Sequence, residues 1–232
     1  VLPGTGGLTR LTDKRRVRRD LADVFCTLEE GVKGQRALDW QLVDEIVPAS
    51  DFDSAVEKSA QKLAATSDRP SEGKGIVLAP LKRRSTPDHL AYCAVDLTIS
   101  RDVGVATLTI SGPQSPPPTD LAELINSGSA FWPLSTAREL DDAILYLRFN
   151  EPEIGVLKFA SHGDLSRVLS YDQFLEQNSD HWLCREIRLY WKRVLKRLDV
   201  TSRSMIGVIE PGSCFAGTLA EILFACDRSY ML

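Results

Sequence analysis

The sequence of 232 residues has no pair of cysteines at C-x-x-C spacing; its five cysteines, Cys26, Cys93, Cys184, Cys214 and Cys226, are odd in number and far apart. That spacing excludes the common zinc and dithiol redox sites and leads to the expectation of reduced thiols and no metal. There is no run of about 18 apolar residues, and the first twenty hold no apolar core, so neither a spanning helix nor an export signal is legible. Surplus positive charge is missing as well. With 28 Lys and Arg against 32 Asp and Glu, the net charge is −4, which argues against a general nucleic-acid binder, because affinity for phosphate backbones rests on excess cations. Phosphate-loop chemistry also fails. Gly4-Thr5-Gly6-Gly7 lacks the following Gly-Lys-Ser/Thr, and Thr9 stands where a dinucleotide fingerprint needs glycine or alanine. The expectation is a soluble, cytoplasmic protein with no nucleic-acid or membrane partner.

What is present is an ordinary globular composition, 43% hydrophobic and 26% charged. The glycine-rich turn at the very first residues has no strand before it, and Val1 stands where a methionine would begin a chain. Together these lead to the expectation that the true start is missing. Residues 1–66 read as mainly helical: a helix capped at Thr12 or Asp13 and running to Leu28, a second over Gln35 to Trp40, and a third over Asp51 to Thr66. The stretch 67–93 is polar, turn-forming and expected to be a linker. From 94 onward, Val95 to Ile99 and Val103 to Ile110 alternate as a β-hairpin, closed by the proline cluster Pro113 to Pro118. Strands at 154–160 and 205–209 then alternate with helices at 135–147, 181–198 and 218–225. That order predicts an α/β layer fold with at least partly parallel strands.

Three places carry candidate chemistry. Lys14-Arg15-Arg16-Val17-Arg18-Arg19 could clamp anions, but on a helix its cations spread around the circumference beside Asp13, Asp20 and Asp23, as a solvated or subunit-facing surface would. His162 follows a strand in Ser161-His162-Gly163-Asp164, where α/β sheets gather ligands; a polar loop residue fits equally, and His89 and His181 have nothing to set them apart. Glu221 lies in the apolar run Thr218 to Cys226, directly after a strand and turn. A carboxylate there calls for a raised pKa, a cationic partner or a place at the mouth of a pocket. It suits a general acid or base, or a structural ion pair. Gly217-Thr218 begins the same helix, and its unpaired N–H groups could hold a developing oxyanion.

Leu2-Pro3-Gly4-Thr5-Gly6-Gly7-Leu8-Thr9-Arg10-Leu11, with Arg36-Ala37-Leu38-Asp39-Trp40-Gln41-Leu42-Val43-Asp44-Glu45-Ile46-Val47-Pro48, resembles the second half of a unit of the crotonase (enoyl-CoA hydratase/isomerase) family. The hairpin at 95–110, the strand at 154–160 and Met205 to Tyr230 resemble the first half of another. This order implies a piece spanning the junction of two tandem units, each partial: 1–66, a linker at 67–93, and 94–232. The tandem order, Thr27-Leu28-Glu29-Glu30-Gly31-Val32-Lys33-Gly34 and Pro211-Gly212-Ser213-Cys214-Phe215-Ala216-Gly217 look most like ring-cleaving lyases of that family. The resemblance implies a crotonase-like (ClpP/crotonase) fold and a reaction in which water opens the dearomatised ring of a CoA thioester, releasing formate. No cofactor is implied beyond the coenzyme A of the acyl-CoA substrate, and a homo-oligomer, a dimer, is expected. It also implies that Glu221 sits where one catalytic glutamate falls, with oxyanion donors near Gly217 or Thr218 and near His162 or Gly163. The three glycines usual before that glutamate are replaced by Thr218-Leu219-Ala220. Two other readings follow from the same residues: an ordinary acyl-CoA hydratase or isomerase fusion, or a second unit that serves assembly and not catalysis.

Overall fold

The computed structural model describes residues 6–68 and 75–232, so the part of the opening turn at Val1 to Thr5 and residues 69–74 of the expected linker lie outside the described residues. The chain divides into two compact units, Val1–Gly73 and Lys74–Leu232.

The first unit is helical, with α1 (Gly7–Thr9), a π-type turn (Arg10–Lys14), α2 (Arg19–Thr27), α3 (Gly34–Asp39) and α4 (Phe52–Ala65). The helix expected from Thr12 to Leu28 is therefore broken. Arg16 takes a left-handed φ of 59° at the break. Continued as one helix, the run would set Lys14 against Arg18 and Arg15 against Arg19 at i,i+4, a repulsive spacing. The break relieves this. Arg15 donates to Asp44 at 3.0 Å and to the Gln41 carbonyl, while Arg18 pairs with Asp20 at 2.6 Å. Val17 turns inward to 4% exposure, its N–H reaching the Leu11 carbonyl.

The second unit is α/β. Its seven strands are β1 (Arg84–Thr86), β2 (His89–Ala91), β3 (Val95–Ser100), β4 (Val105–Ser111), β5 (Val156–His162), β6 (Ser204–Ile209) and β7 (Arg228–Met231). They lie in the sheet in chain order. The first four pair antiparallel and the last four parallel, as in Leu97 opposite Leu108 and Leu108 beside Phe159. β1 and β2 fall within the span expected as linker. Leu90 explains why: it is fully buried beside Leu97, so the sheet recruits this short segment through one apolar anchor.

Crossovers carry α5 (Leu121–Ser127), α6 (Trp132–Asn150), α7 (Leu165–Gln177), α8 (Trp182–Asp199) and α9 (Ala220–Ala225). Right-handed crossovers that always step toward the same edge put these helices on one face of the sheet. Burial alternates to match: Leu97, Leu108, Phe159 and Met205 are buried, whereas Thr98, Lys158 and His162 are exposed. α8 buries Leu183, Ile187, Trp191, Val194 and Leu198 at helical spacing and packs on α6, where the Trp191 indole donates to the Pro133 carbonyl at 2.9 Å. Gly207 lets α9 lie close on β6, since a Cβ there would be 2.5 Å from a Leu223 methyl. Two ties pin α6. Glu139, buried, accepts from the Ala94 and Val95 N–H groups at 2.7 and 3.1 Å, and Arg203 donates to the carbonyls of Leu147, Glu151 and Ile154. Among the described residues no helix is long and apolar enough to cross a membrane.

Candidate functional site

The carboxyl ends of β4, β5 and β6 converge. Gly112 donates to the His162 carbonyl at 2.8 Å, and the Cys214 N–H donates to the Ser161 hydroxyl at 3.0 Å. Glycines favour this close approach. A Cβ on Gly163, whose φ is 143°, would lie 3.0 Å from the Gly112 Cα, and one on Gly112 would lie 3.2 Å from the Cys214 sulfur. Burial pushes the Cys214 thiol pKa up, with a Ser161 hydrogen bond opposing, so it stays a neutral thiol in the packing.

His162 is exposed at the end of β5, its Nε2 3.1 Å from the Ser111 hydroxyl. The Gly163 N–H donates to the Gly212 carbonyl at 2.9 Å. The next residue, Asp164, begins α7 by accepting from the Ser166 N–H and hydroxyl at 2.8 and 2.6 Å. The Ser166 hydroxyl bond is the main reason its carboxyl lies below the usual range.

Gly217–Leu219 forms a 3₁₀ turn that runs into α9. Here a carboxylate from α7 dominates. Asp172 accepts from the Thr218 N–H at 2.6 Å and from the Thr218 hydroxyl at 2.8 Å. Gly217, at φ 49°, is where the carboxylate needs room, because a Cβ there would lie 1.9 Å from Asp172 Oδ2. Glu221 sits in the first turn of α9 and is exposed. Of the three settings expected for it, the structure supplies a pocket. Glu221 lines a cavity of about 650 Å³ between α7, α8 and α9, with Asp172, Lys192, Lys196 and Phe224. Among the described residues its side chain makes no ion pair.

The structure thus brings Gly217, Thr218 and Glu221 to one cavity, and His162 and Gly163 are not among its lining residues. The Thr218 and Gly163 N–H groups, expected to hold an oxyanion, each already have an acceptor. Asp172 and Asp164 are the functional-looking residues that sequence reasoning missed. Asp164 was readable as a helix cap ahead of Leu165, with Ser166 beside it. Asp172 has no local signal, since its partner Thr218 is 46 residues away. Among the described residues no group of three or more His, Cys, Asp or Glu could hold a metal ion.

No protein-family profile matches the chain. It is 51% identical, over all 232 residues, to benzoyl-CoA-dihydrodiol lyase of Aromatoleum evansii. The similarity runs the whole length of this chain. It takes in both compact units, and the chain spans 42% of the lyase's own length. Among solved structures, an enoyl-CoA hydratase of Geobacillus kaustophilus matches at 15% identity and a TM-score of 0.39, covering 62% of this chain and 47% of that one. A putative enoyl-CoA hydratase of Streptomyces coelicolor matches at 17% identity and a TM-score of 0.38, covering 70% and 50%.

Proposed function

We propose that this chain is part of a carbon–carbon lyase of the crotonase type that cleaves the ring of dearomatised benzoyl-CoA, as the dihydrodiol, with water. One ring carbon leaves as formate and the remainder as 3,4-didehydroadipyl-CoA semialdehyde, a step of aerobic benzoate degradation. The observation that carries this reading is 51% identity to a benzoyl-CoA-dihydrodiol lyase along the entire chain. The substrate brings its own coenzyme A and no further cofactor is needed. The enzyme works in the cytoplasm as a homo-oligomer, a dimer, without nucleic-acid or membrane partners.

Within it, residues 74–232 serve assembly and not turnover. The support is local: the Thr218 and Gly163 N–H groups already have acceptors, and Glu221 lines a cavity that His162 and Gly163 do not. The test is to give benzoyl-CoA dihydrodiol to the longer protein that carries this chain, measuring formate and identifying the thioester product by mass. Stoichiometric formate supports the lyase. Hydration of a simple enoyl-CoA with no formate would replace it with the hydratase reading. For the assembly role, Glu221→Gln should leave formate release within about twofold of the parent, and a loss of about 100-fold, as expected for a general acid or base, would overturn it.

A further inference from the structure

We infer that Asp172 is a built-in stopper, a carboxylate that fills the place where a thioester oxygen would be held and keeps residues 74–232 closed to acyl-CoA. This rests on the proposal that the longer protein acts on a CoA thioester. The geometry of Thr218 carries it. Both of its donors, N–H and hydroxyl, go to the two oxygens of Asp172, at 2.6 and 2.8 Å. A carboxylate is the favoured occupant at the start of a helical segment, where unpaired N–H groups present partial positive charge. Once there, it offers an incoming oxyanion a like charge in place of a donor, and the donor must first be pulled from a charge-assisted bond.

A second feature shows that the fit is built in. Gly217 has φ 49°, a conformation side chains rarely adopt, and a Cβ there would lie 1.9 Å from Asp172 Oδ2 and so displace the carboxylate from Thr218. The chain therefore keeps glycine at 217 for the approach of its own acid, and has Thr218, whose hydroxyl takes the second oxygen, as the next residue. On the other side, where His162 or Gly163 was expected to donate, the Gly163 N–H goes to the Gly212 carbonyl beside the tight contact with Gly112. Thr218 is thus stoppered by a side chain and Gly163 by the backbone.

Hydrogen exchange read by mass spectrometry on the peptide covering 215–222 tests this in the longer protein, with benzoyl-CoA as the probe. Saturating benzoyl-CoA should leave exchange of that peptide unchanged in the parent protein. Added protection there would overturn the inference. Asp172→Ala should speed exchange of the Thr218 amide by about tenfold or more, the consequence of freeing a donor from a charged acceptor. Unchanged exchange in the folded variant would also overturn it. Failure of the lyase proposal looks different: formate is not released, while the parent peptide can still be read with and without benzoyl-CoA.

Discussion

The two compact units use the same kind of patterning with opposite results. In the first, α4 has Phe52, Val56 and Leu63 at helical spacing, yet they are 58%, 52% and 71% exposed. In the second, α8 has the same kind of stripe, and Leu183, Ile187, Val194 and Leu198 are all at 3% or less. Spacing predicts a helix in both cases. What it buries is decided by whether other elements are there to receive it, and α8 has α6, α7 and α9 packed against it.

Core truncation should break this contrast most sharply. Phe159→Ala, fully buried at the middle of β5, should cost about 3–5 kcal/mol in denaturant unfolding. Phe52→Ala on α4 should fall within about 0.5 kcal/mol. Equal costs would show that Phe52 is covered.

Next is Glu139, whose removal strands two backbone donors. Glu139→Ala should destabilise by about 2–3 kcal/mol. Burial raises its carboxyl pKa, against the bonds from Ala94 and Val95 that lower it. A raised folded pKa means stability that is present when the group is protonated and is lost as pH rises through the folded value. Glu139→Gln cannot ionise, so its stability relative to the parent should improve as pH rises above the unfolded carboxyl's value of about 4.3. A difference flat with pH would refute that role.

A smaller effect is expected at Gly217→Ala, which meets both a left-handed φ and the Asp172 carboxylate. A cost of about 1–3 kcal/mol in thermal unfolding follows; in an Asp172→Ala background the part due to the carboxylate should vanish and the part due to the left-handed φ should remain. Smallest of all is Arg15→Ala in the first unit. Asp44, its partner, is 88% exposed, so the loss should stay below about 1 kcal/mol and shrink further in high salt.

The hairpin over β3 and β4 and the buried face of α8 were legible because burial on one side leaves a period in the residues. β7 was not, since all four of its residues are exposed and show no alternation. α2 begins later than its pattern suggested, because charge repulsion in Lys14 to Arg19 outweighs helical periodicity there. At the candidate site, Glu221 and the start of its helix were readable as residues. Their consequence was not, because the carboxylate that occupies Thr218 comes from another helix, and no local spacing encodes it.

The order of the strands carries one more implication, for synthesis. Since β1 to β7 lie side by side in the order they are written, each strand leaving the ribosome finds its neighbour already made. The sheet can grow by addition at a single edge, with no earlier strand held open and waiting for a later one. Translation itself then rehearses the assembly, with β1 as the constant edge and the newest strand as the growing one.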